Sequence, residues 1–336
     1  MNWSEQIIVL TGGTGSFGKK FVEIMLRDYH PKAIRIFSRD ELKQYEMHKQ
    51  FDHPSLRYFI GDVRDAQRVH RALDGATMLI HAAALKHVPV CEYNPFEAVK
   101  TNILGAENLL EAALEHRIAR TICLSTDKAV NPTNLYGATK LCMERIFMAA
   151  NSYAGTHQTR FSCVRYGNVV GSRGSVIPFF LKQRDSGRLT LTDRRMTRFW
   201  ITLEQGVRLV IQAAETMHGG EIYVPKIPSM RITDLARVIS PDCEIKEIGI
   251  RPGEKIHEVL LTEDEARHAL EFDDKFIIEP EFHWWNFENW KGGKRLPDGF
   301  RYTSENNTVW LKNKELLDMV EEVAQQMRLP VREGIS

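Results

Sequence analysis

Residues 11–18 read Thr11-Gly12-Gly13-Thr14-Gly15-Ser16-Phe17-Gly18 and follow the apolar run Ile7–Leu10. A short β-rich run, a glycine-rich turn and helical periodicity from Gly18 onward describe a strand–turn–helix unit. Gly12 permits the tight turn, Gly15 lets the backbone approach a phosphate, and Gly18 lets the helix pack closely on the strand. The amides at the helix N-terminus then face an anion. The turn is the expected pyrophosphate site of a dinucleotide, with Thr14, Ser16 and Phe17 beside it.

Outward from this turn the same rhythm repeats. Apolar runs recur at Ala33–Phe37, Arg57–Ile60, Met78–His81, Thr121–Ser125 and Phe161–Tyr166, separated by helical stretches such as Asp40–Gln50, Ala66–Leu73 and Phe96–His116. That alternation specifies an α/β fold, a parallel sheet with helices on both faces over residues 1–167. Leu203–Met217 reads as a helix returning to the sheet, within 199–218. Residues 168–198 and 219–336 are expected to form a smaller α/β substrate lobe and a C-terminal extension. Helices are expected at Arg231–Ile239, opened by Thr233 or Asp234, at Glu263–Leu270 and at Lys314–Arg328.

Composition narrows the function. The 336 residues carry 45 Lys+Arg against 44 Asp+Glu, a formal net charge of +1, which excludes binding to nucleic acid or another polyanion through bulk charge. With 43% hydrophobic and 26% charged residues the chain is an ordinary globular one. Its five cysteines form no C-x-x-C pair and no metal-ligand spacing, so they read as reduced thiols and no metal is expected. Neither a secretory leader nor an apolar run of membrane length is visible, and a cytoplasmic protein without membrane contact is expected.

Further motifs refine the dinucleotide site. A site for NAD needs an acid about 20 residues past the glycines, at the end of the second strand. Here that position reads Ser38-Arg39-Asp40. Arg39, with Lys43 beyond Asp40, suits a 2′-phosphate and favours NADP, while Arg39 as a solvated loop cation and Asp40 as a helix N-cap are compatible readings. Asp62, beside Val63 after the third strand, is placed to meet the adenine. At the end of the fifth strand comes Leu124-Ser125-Thr126-Asp127-Lys128, followed by Tyr136-x-x-x-Lys140. Residues four apart share a helix face, so the Lys140 ammonium is expected beside the Tyr136 phenol, lowering its pKa and making it a base for a hydroxyl proton.

These features resemble the extended short-chain dehydrogenase/reductase family, whose Rossmann-type site combines a fifth-strand Ser/Thr with Tyr-x-x-x-Lys. The run Ser125–Lys140 is similar to that of the soluble UDP-N-acetylglucosamine 4,6-dehydratases, especially the C5-inverting type of pseudaminic acid biosynthesis. Supporting matches are His81–Pro89, Arg165–Val169, Arg195–Trp200 and Arg251–Lys255. The resemblance implies that Ala82 and Ala83 line the cofactor, that Lys86 lies between cofactor and substrate, and that Thr101 and Asn102 support the nicotinamide. It implies that Asn168 and Val169 meet the sugar nucleotide, with Arg198 also on the substrate, and that Arg251 and Glu254 bind its uridine diphosphate end. A soluble homo-oligomer, a hexamer among the forms, is also implied. The cluster Trp284, Trp285, Phe287 and Trp290 departs from the family pattern and reads as core or subunit contact.

The pair Asp127-Lys128 suggests the chemistry. Once C4 of a hexose is a ketone, the C5 proton is acidic and the C6 hydroxyl is a β leaving group. Lys128 is then the expected base and Asp127 the expected acid, provided burial or cationic neighbours depress the lysine. Hydride return to C6, with a proton delivered to C5, completes a UDP-2-acetamido-2,6-dideoxy-4-hexulose and regenerates NADP. A retaining dehydratase shares Asp127-Lys128. An NADP-dependent epimerase or reductase would use the glycines, Tyr136 and Lys140 but leave that pair without a task.

Overall fold

The computed structural model describes residues 1–155, 158–170, 176–281 and 290–326. The first half alternates as its hydrophobic rhythm requires: β1 (Ile7–Thr11), α1 (Ser16–Ile24), β2 (Ala33–Ser38), α2 (Glu41–Gln50), β3 (Leu56–Ile60), α3 (Ala66–Leu73) and β4 (Met78–His81). There follow α4 (Val88–Tyr93), α5 (Pro95–Val99), α6 (Gly105–Glu115), β5 (Arg120–Thr126), α7 (Leu135–Tyr153) and β6 (Arg160–Tyr166). These six strands pair in parallel in the order 3-2-1-4-5-6, the doubly wound arrangement in which ligands bind beyond the strands' carboxyl ends. The fold class is the expected one. Strands β1 and β4 are buried almost throughout, because helices cover both faces.

The expected helix Phe96–His116 is interrupted. A π turn, Lys100–Leu104, separates α5 from α6, and Gly105 sits so close to Val63 that an added Cβ would meet its Cγ2 at 2.6 Å. Such a wide turn re-aims side chains, and here it turns Thr101 toward the cavity described below.

The second half comprises β7 (Asn168–Val169), α8 (Val176–Arg184), β8 (Arg188–Leu191), β9 (Thr197–Ile201) and α9 (Leu203–Thr216). Then come β10 (Ile222–Pro225), β11 (Ser229–Arg231), α10 (Ile232–Ile239), β12 (Glu244–Glu247), β13 (Val259–Leu261), α11 (Glu263–Ala266), β14 (Ala269–Glu271), β15 (Lys275–Ile278), β16 (Lys294–Arg295), β17 (Tyr302–Thr303) and α12 (Asn313–Gln326). A second apolar core joins Phe180 and Leu181 of α8, Trp200, Leu235 and Ile239 of α10, and Leu316 and Val320 of α12. It is assembled from separate excursions of the chain.

Residues 219–336 do not lie wholly in that lobe. β10 extends the main sheet in parallel beside β6, and β15, β14 and β16 continue it antiparallel. Short β-branched strands such as Phe276–Ile278 bury both faces there, a pattern that does not reveal which sheet a strand joins. The expected helix 263–270 is opened by a Thr262/Glu265 capping box but stops at Ala266, and the chain becomes strand β14. Arg231 occupies the N-cap position of α10, with no side-chain cap from Thr233 or Asp234. Trp290 packs edge-on against His218, Tyr223 and Phe272, as core. Trp284, Trp285 and Phe287 lie outside the described residues.

Candidate active site

The glycine turn has the conformation its residues foretell. Gly12 has φ +65°, and a Cβ there would meet the backbone of Ala83 at 2.9 Å; a Cβ on Gly18 would meet the Gly13 carbonyl at 2.1 Å. Gly15 is the N-cap of α1 and supplies no side-chain cap, so the first-turn amides remain available to an anion. The backbone cradle fits a pyrophosphate. Thr11 Oγ1 accepts from the amides of Ala82 (3.1 Å) and Ala83 (3.2 Å) and lies 2.8 Å from His81 Nδ1, fixing the end of β4 beside the turn. Burial pushes His81 down to about 3, so it serves this bond as a neutral ring.

Thr14, Ser16, Phe17, Ser38, Arg39, Asp40, Lys43, Asp62, Val63, Ala82, Ala83, Lys86 and Thr101 all line one cavity. Asp40 caps α2, accepting from the Lys43 amide at 3.0 Å, and its carboxylate also pairs with Lys43 Nζ at 2.6 Å. Arg39 lies 3.5 Å from Asp62, which in turn binds Arg64. Asn102 does not line the cavity. Its amide clamps Leu85, accepting from the amide at 2.8 Å and donating to the carbonyl at 2.9 Å, and donates to Thr139 Oγ1. It holds the 82–86 loop against α7.

The end of β5 carries the charged centre. A 3₁₀ turn over Asp127–Ala129 follows Thr126, whose hydroxyl donates to Asp127 Oδ1 at 2.8 Å. Lys128 Nζ lies 3.0 Å from the same oxygen, 3.3 Å from Asn168 Oδ1 and 3.5 Å from Glu258 Oε1. Asp127 is fully buried behind the cavity wall, while Thr126, Lys128 and Glu258 line it. Asp127 Oδ2 and Glu258 Oε2 have no hydrogen-bond partner among the described residues.

Two expectations about protons need correction. Burial opposes the Lys128 ammonium, but Asp127 and then Glu258 outweigh it and raise the group above the ordinary lysine value. Burial, reinforced by Glu258, raises Asp127, whereas Lys128, Arg198 and Lys255 outweigh burial at Glu258 and hold it low. Tyr136 is not lowered by Lys140 either. Burial pushes the phenol up to about 12, and Lys140 Nζ is spent on the Leu124 carbonyl and Met143 Sδ. Tyr136 and Lys140 nevertheless share one face of α7 and line the cavity.

On the opposite side, β7 presents Asn168 and Val169, and β9 presents Arg198, all lining the cavity. Arg198 donates to the carbonyls of Thr197, Lys255 and Ile256 and lies 3.6 Å from Glu258. It braces the loop and Glu258 rather than standing free. The 251–255 loop is tied to the start of α7 by Thr133 and Asn134, which both donate to the Gly253 carbonyl. Arg251 and Glu254 line the cavity, and the Arg251 guanidinium has no ion pair or hydrogen bond among the described residues. Arg195 points away, exposed and paired with Asp193 at 2.7 Å.

Glu258 escaped sequence reasoning. It is a lone acid on the far side of the lobe loop, with no motif to mark it, and only the fold brings it to Lys128. Lys255, belonging to a motif already singled out, donates to the Asp127 and Val130 carbonyls.

The cavity is about 1030 Å³, above the roughly 300–1,000 Å³ of a single small-molecule site, and runs from the glycine turn to Arg251. The 3-2-1-4-5-6 sheet, the glycine turn and Tyr136/Lys140 on α7 together define the extended short-chain dehydrogenase/reductase class. A family model described as polysaccharide biosynthesis protein matches residues 8–280, and the chain belongs to that family. The UDP-N-acetylglucosamine 4,6-dehydratase (inverting) of Campylobacter jejuni is 51% identical over 327 residues, 95% of this chain and 98% of its own. The UDP-glucose 4-epimerase of Rickettsia massiliae is 40% identical over 326 residues, 94% and 95% of the two chains. Among solved structures, Pen from Bacillus thuringiensis is similar with a TM-score of 0.88 at 39% identity, over 97% of this chain and 100% of that one.

Proposed function

We propose that the protein is an inverting UDP-N-acetylglucosamine 4,6-dehydratase. The observation that carries this reading is Asp127-Lys128 at the carboxyl end of β5, with Lys128 in the same cavity as Tyr136 and the glycine turn. The name of the 51% identical relative supports it. A nicotinamide dinucleotide held at the glycine turn supplies the hydride acceptor for C4 and the donor for C6.

The chain's own groups supply the proton steps. Tyr136 accepts the C4 hydroxyl proton, with Thr126 beside it; its high resting pKa requires the bound cofactor's positive ring and the Lys128 ammonium to favour the phenolate. Lys128 passes its resting proton to Asp127 across the 3.0 Å contact and then takes the C5 proton. Asp127 lies behind the wall, so its proton reaches the C6 hydroxyl through Thr126 Oγ1, which already contacts Asp127 Oδ1. One proton leaves C5, one reaches the C6 oxygen, and water departs; as hydride reaches C6, Tyr136 returns the proton it took from the C4 hydroxyl to C5, on the face opposite Lys128, which inverts C5 and restores all three groups.

The Arg251 guanidinium, without an ion pair or hydrogen bond among the described residues, suits the diphosphate, with Glu254 and Asn168 on uridine and sugar. Arg39 and Lys43 favour NADP over NAD, once a 2′-phosphate competes for cations now paired with Asp62 and Asp40. Titration with each dinucleotide decides this: tighter NAD binding overturns the NADP assignment. For the reaction, UDP-N-acetylglucosamine is followed by NMR in deuterated water. A 6-deoxy-4-keto product with deuterium at inverted C5 is expected, and a C4 epimer would favour the activity named for the Rickettsia relative.

A further inference from the structure

The charged centre contains one group to which the reaction above gives no part. Glu258, just before β13, lies on the cavity wall opposite Asp127, buried, with one carboxylate oxygen unpartnered among the described residues. Lys128 Nζ sits between them, 3.0 Å from Asp127 Oδ1 and 3.5 Å from Glu258 Oε1. Arg198, 3.6 Å from the same Glu258 oxygen, fixes the carboxylate from the β9 side.

We propose that Glu258 is a positioning residue for the dehydration: from the cavity wall it holds the Lys128 amine between two carboxylates, and so sets where the amine points and which acid carries the transferable proton. The inference rests on the dehydratase reading for its catalytic meaning, though the geometry stands without it. Every charged or titratable group facing Lys128 takes part. Asp127 and Glu258 favour the ammonium, while Arg198 opposes it; Lys86 and Lys255 each feel the Lys128 charge, and Tyr136 is stabilised as phenolate by it. Two carboxylates on one amine cannot both stay ionised when it gives up its proton. Glu258 still faces the Arg198 and Lys255 cations once Lys128 is neutral and remains charged, so Asp127, deeper and beside Glu258, becomes the proton carrier.

The test uses the full chain and two readouts. In the first, the rate at which acetic anhydride acylates Lys128 is followed against pH by peptide mass spectrometry. Glu258→Gln is expected to move the midpoint of Lys128 reactivity down by about 1–3 pH units, the effect of removing an opposite charge at this distance. Glu258→Asp, which keeps the charge on a shorter arm, is expected to leave the midpoint near that of the parent protein. In the second, turnover of UDP-N-acetylglucosamine is measured. Both variants are expected to lose about 10- to 100-fold in kcat with KM held within about twofold, because the amine loses its aim.

An unmoved midpoint in Glu258→Gln, or full kcat in Glu258→Asp, overturns the proposal. Should Glu258→Gln not fold, the Glu258→Asp pair of measurements still decides it. If the parent protein turns over no UDP-N-acetylglucosamine, the dehydratase reading fails, and the acylation midpoints judge the placement of Lys128 on their own.

Discussion

Two clusters in this molecule hold a cation between two carboxylates, and they are built to opposite ends. Arg165 of β6 is fully buried and makes paired bonds to Glu144 of α7, at 2.8 and 3.0 Å, and to Glu265 of α11, at 2.8 and 3.0 Å, with one nitrogen also on the Leu260 carbonyl. Its side-chain donors are matched, and all three residues lie away from the cavity. Lys128 has a compact ammonium, partners on one oxygen of each acid, and an opening to the cavity. Each acid there retains an oxygen with no partner among the described residues. An arginine cannot be deprotonated in a protein and its planar fork locks geometry, whereas a lysine exchanges its proton. The first cluster fastens α7, the helix carrying Tyr136 and Lys140, to β6 of the main sheet and to α11. The second is free to do chemistry.

Substitutions break the comparison in different places. The largest expected effect is on turnover: Lys128→Ala loses product formation by about 10²–10⁴-fold, the range for removing a proton-transfer group, while nicotinamide-dinucleotide binding by calorimetry stays near the parent value. Retained turnover would remove Lys128 from the mechanism. Arg165→Leu acts on stability instead. It strands two buried carboxylates and is expected to cost about 3–5 kcal/mol in urea denaturation.

The two clusters should also differ in pH dependence. Glu265 is held below its ordinary value by Arg165, so its contribution is complete above an unfolded pKa of about 4.3 and is lost as pH falls through the folded value. Asp127 has the opposite sign: raised by burial, its stabilising contribution is present below about pH 3.9 and lost as pH rises through the folded value. Asp127→Asn is therefore expected to leave neutral-pH stability unchanged or raise it by about 1 kcal/mol, while abolishing product. A clear loss of stability would place Asp127 with the structural cluster. The smallest effect belongs to Arg251→Ala, expected to raise the KM for the sugar nucleotide about tenfold with cofactor affinity unchanged, as for one lost charge-assisted contact of about 1.4 kcal/mol.

The legible and illegible parts of the sequence divide along the same line. The glycine turn, the helix-covered parallel sheet and the Thr126–Lys140 run are legible because local rules fix them: a left-handed Gly12, covered parallel strands, side chains one helical turn apart. Protonation is not, because it depends on what the fold brings near. Nothing in Thr126-Asp127-Lys128 announces Glu258, and the expectation of a depressed Lys128 failed on that residue and Asp127. Likewise Tyr136 and Lys140 share a face as spacing required, yet Lys140 reaches the Leu124 carbonyl. Strands β10, β14, β15 and β16 were misplaced into the lobe because a short buried strand carries no mark of its sheet.

The central claim is that oxidation at C4, loss of water across C5–C6 and reduction at C6 occur in this one cavity. The most direct test is UDP-N-acetylglucosamine carrying deuterium at C4, incubated with the protein loaded with nicotinamide dinucleotide and analysed by NMR and mass spectrometry. The account predicts that the deuterium appears in the C6 methyl group of a 4-keto product. Deuterium retained at C4, in substrate or in an epimer, would contradict it.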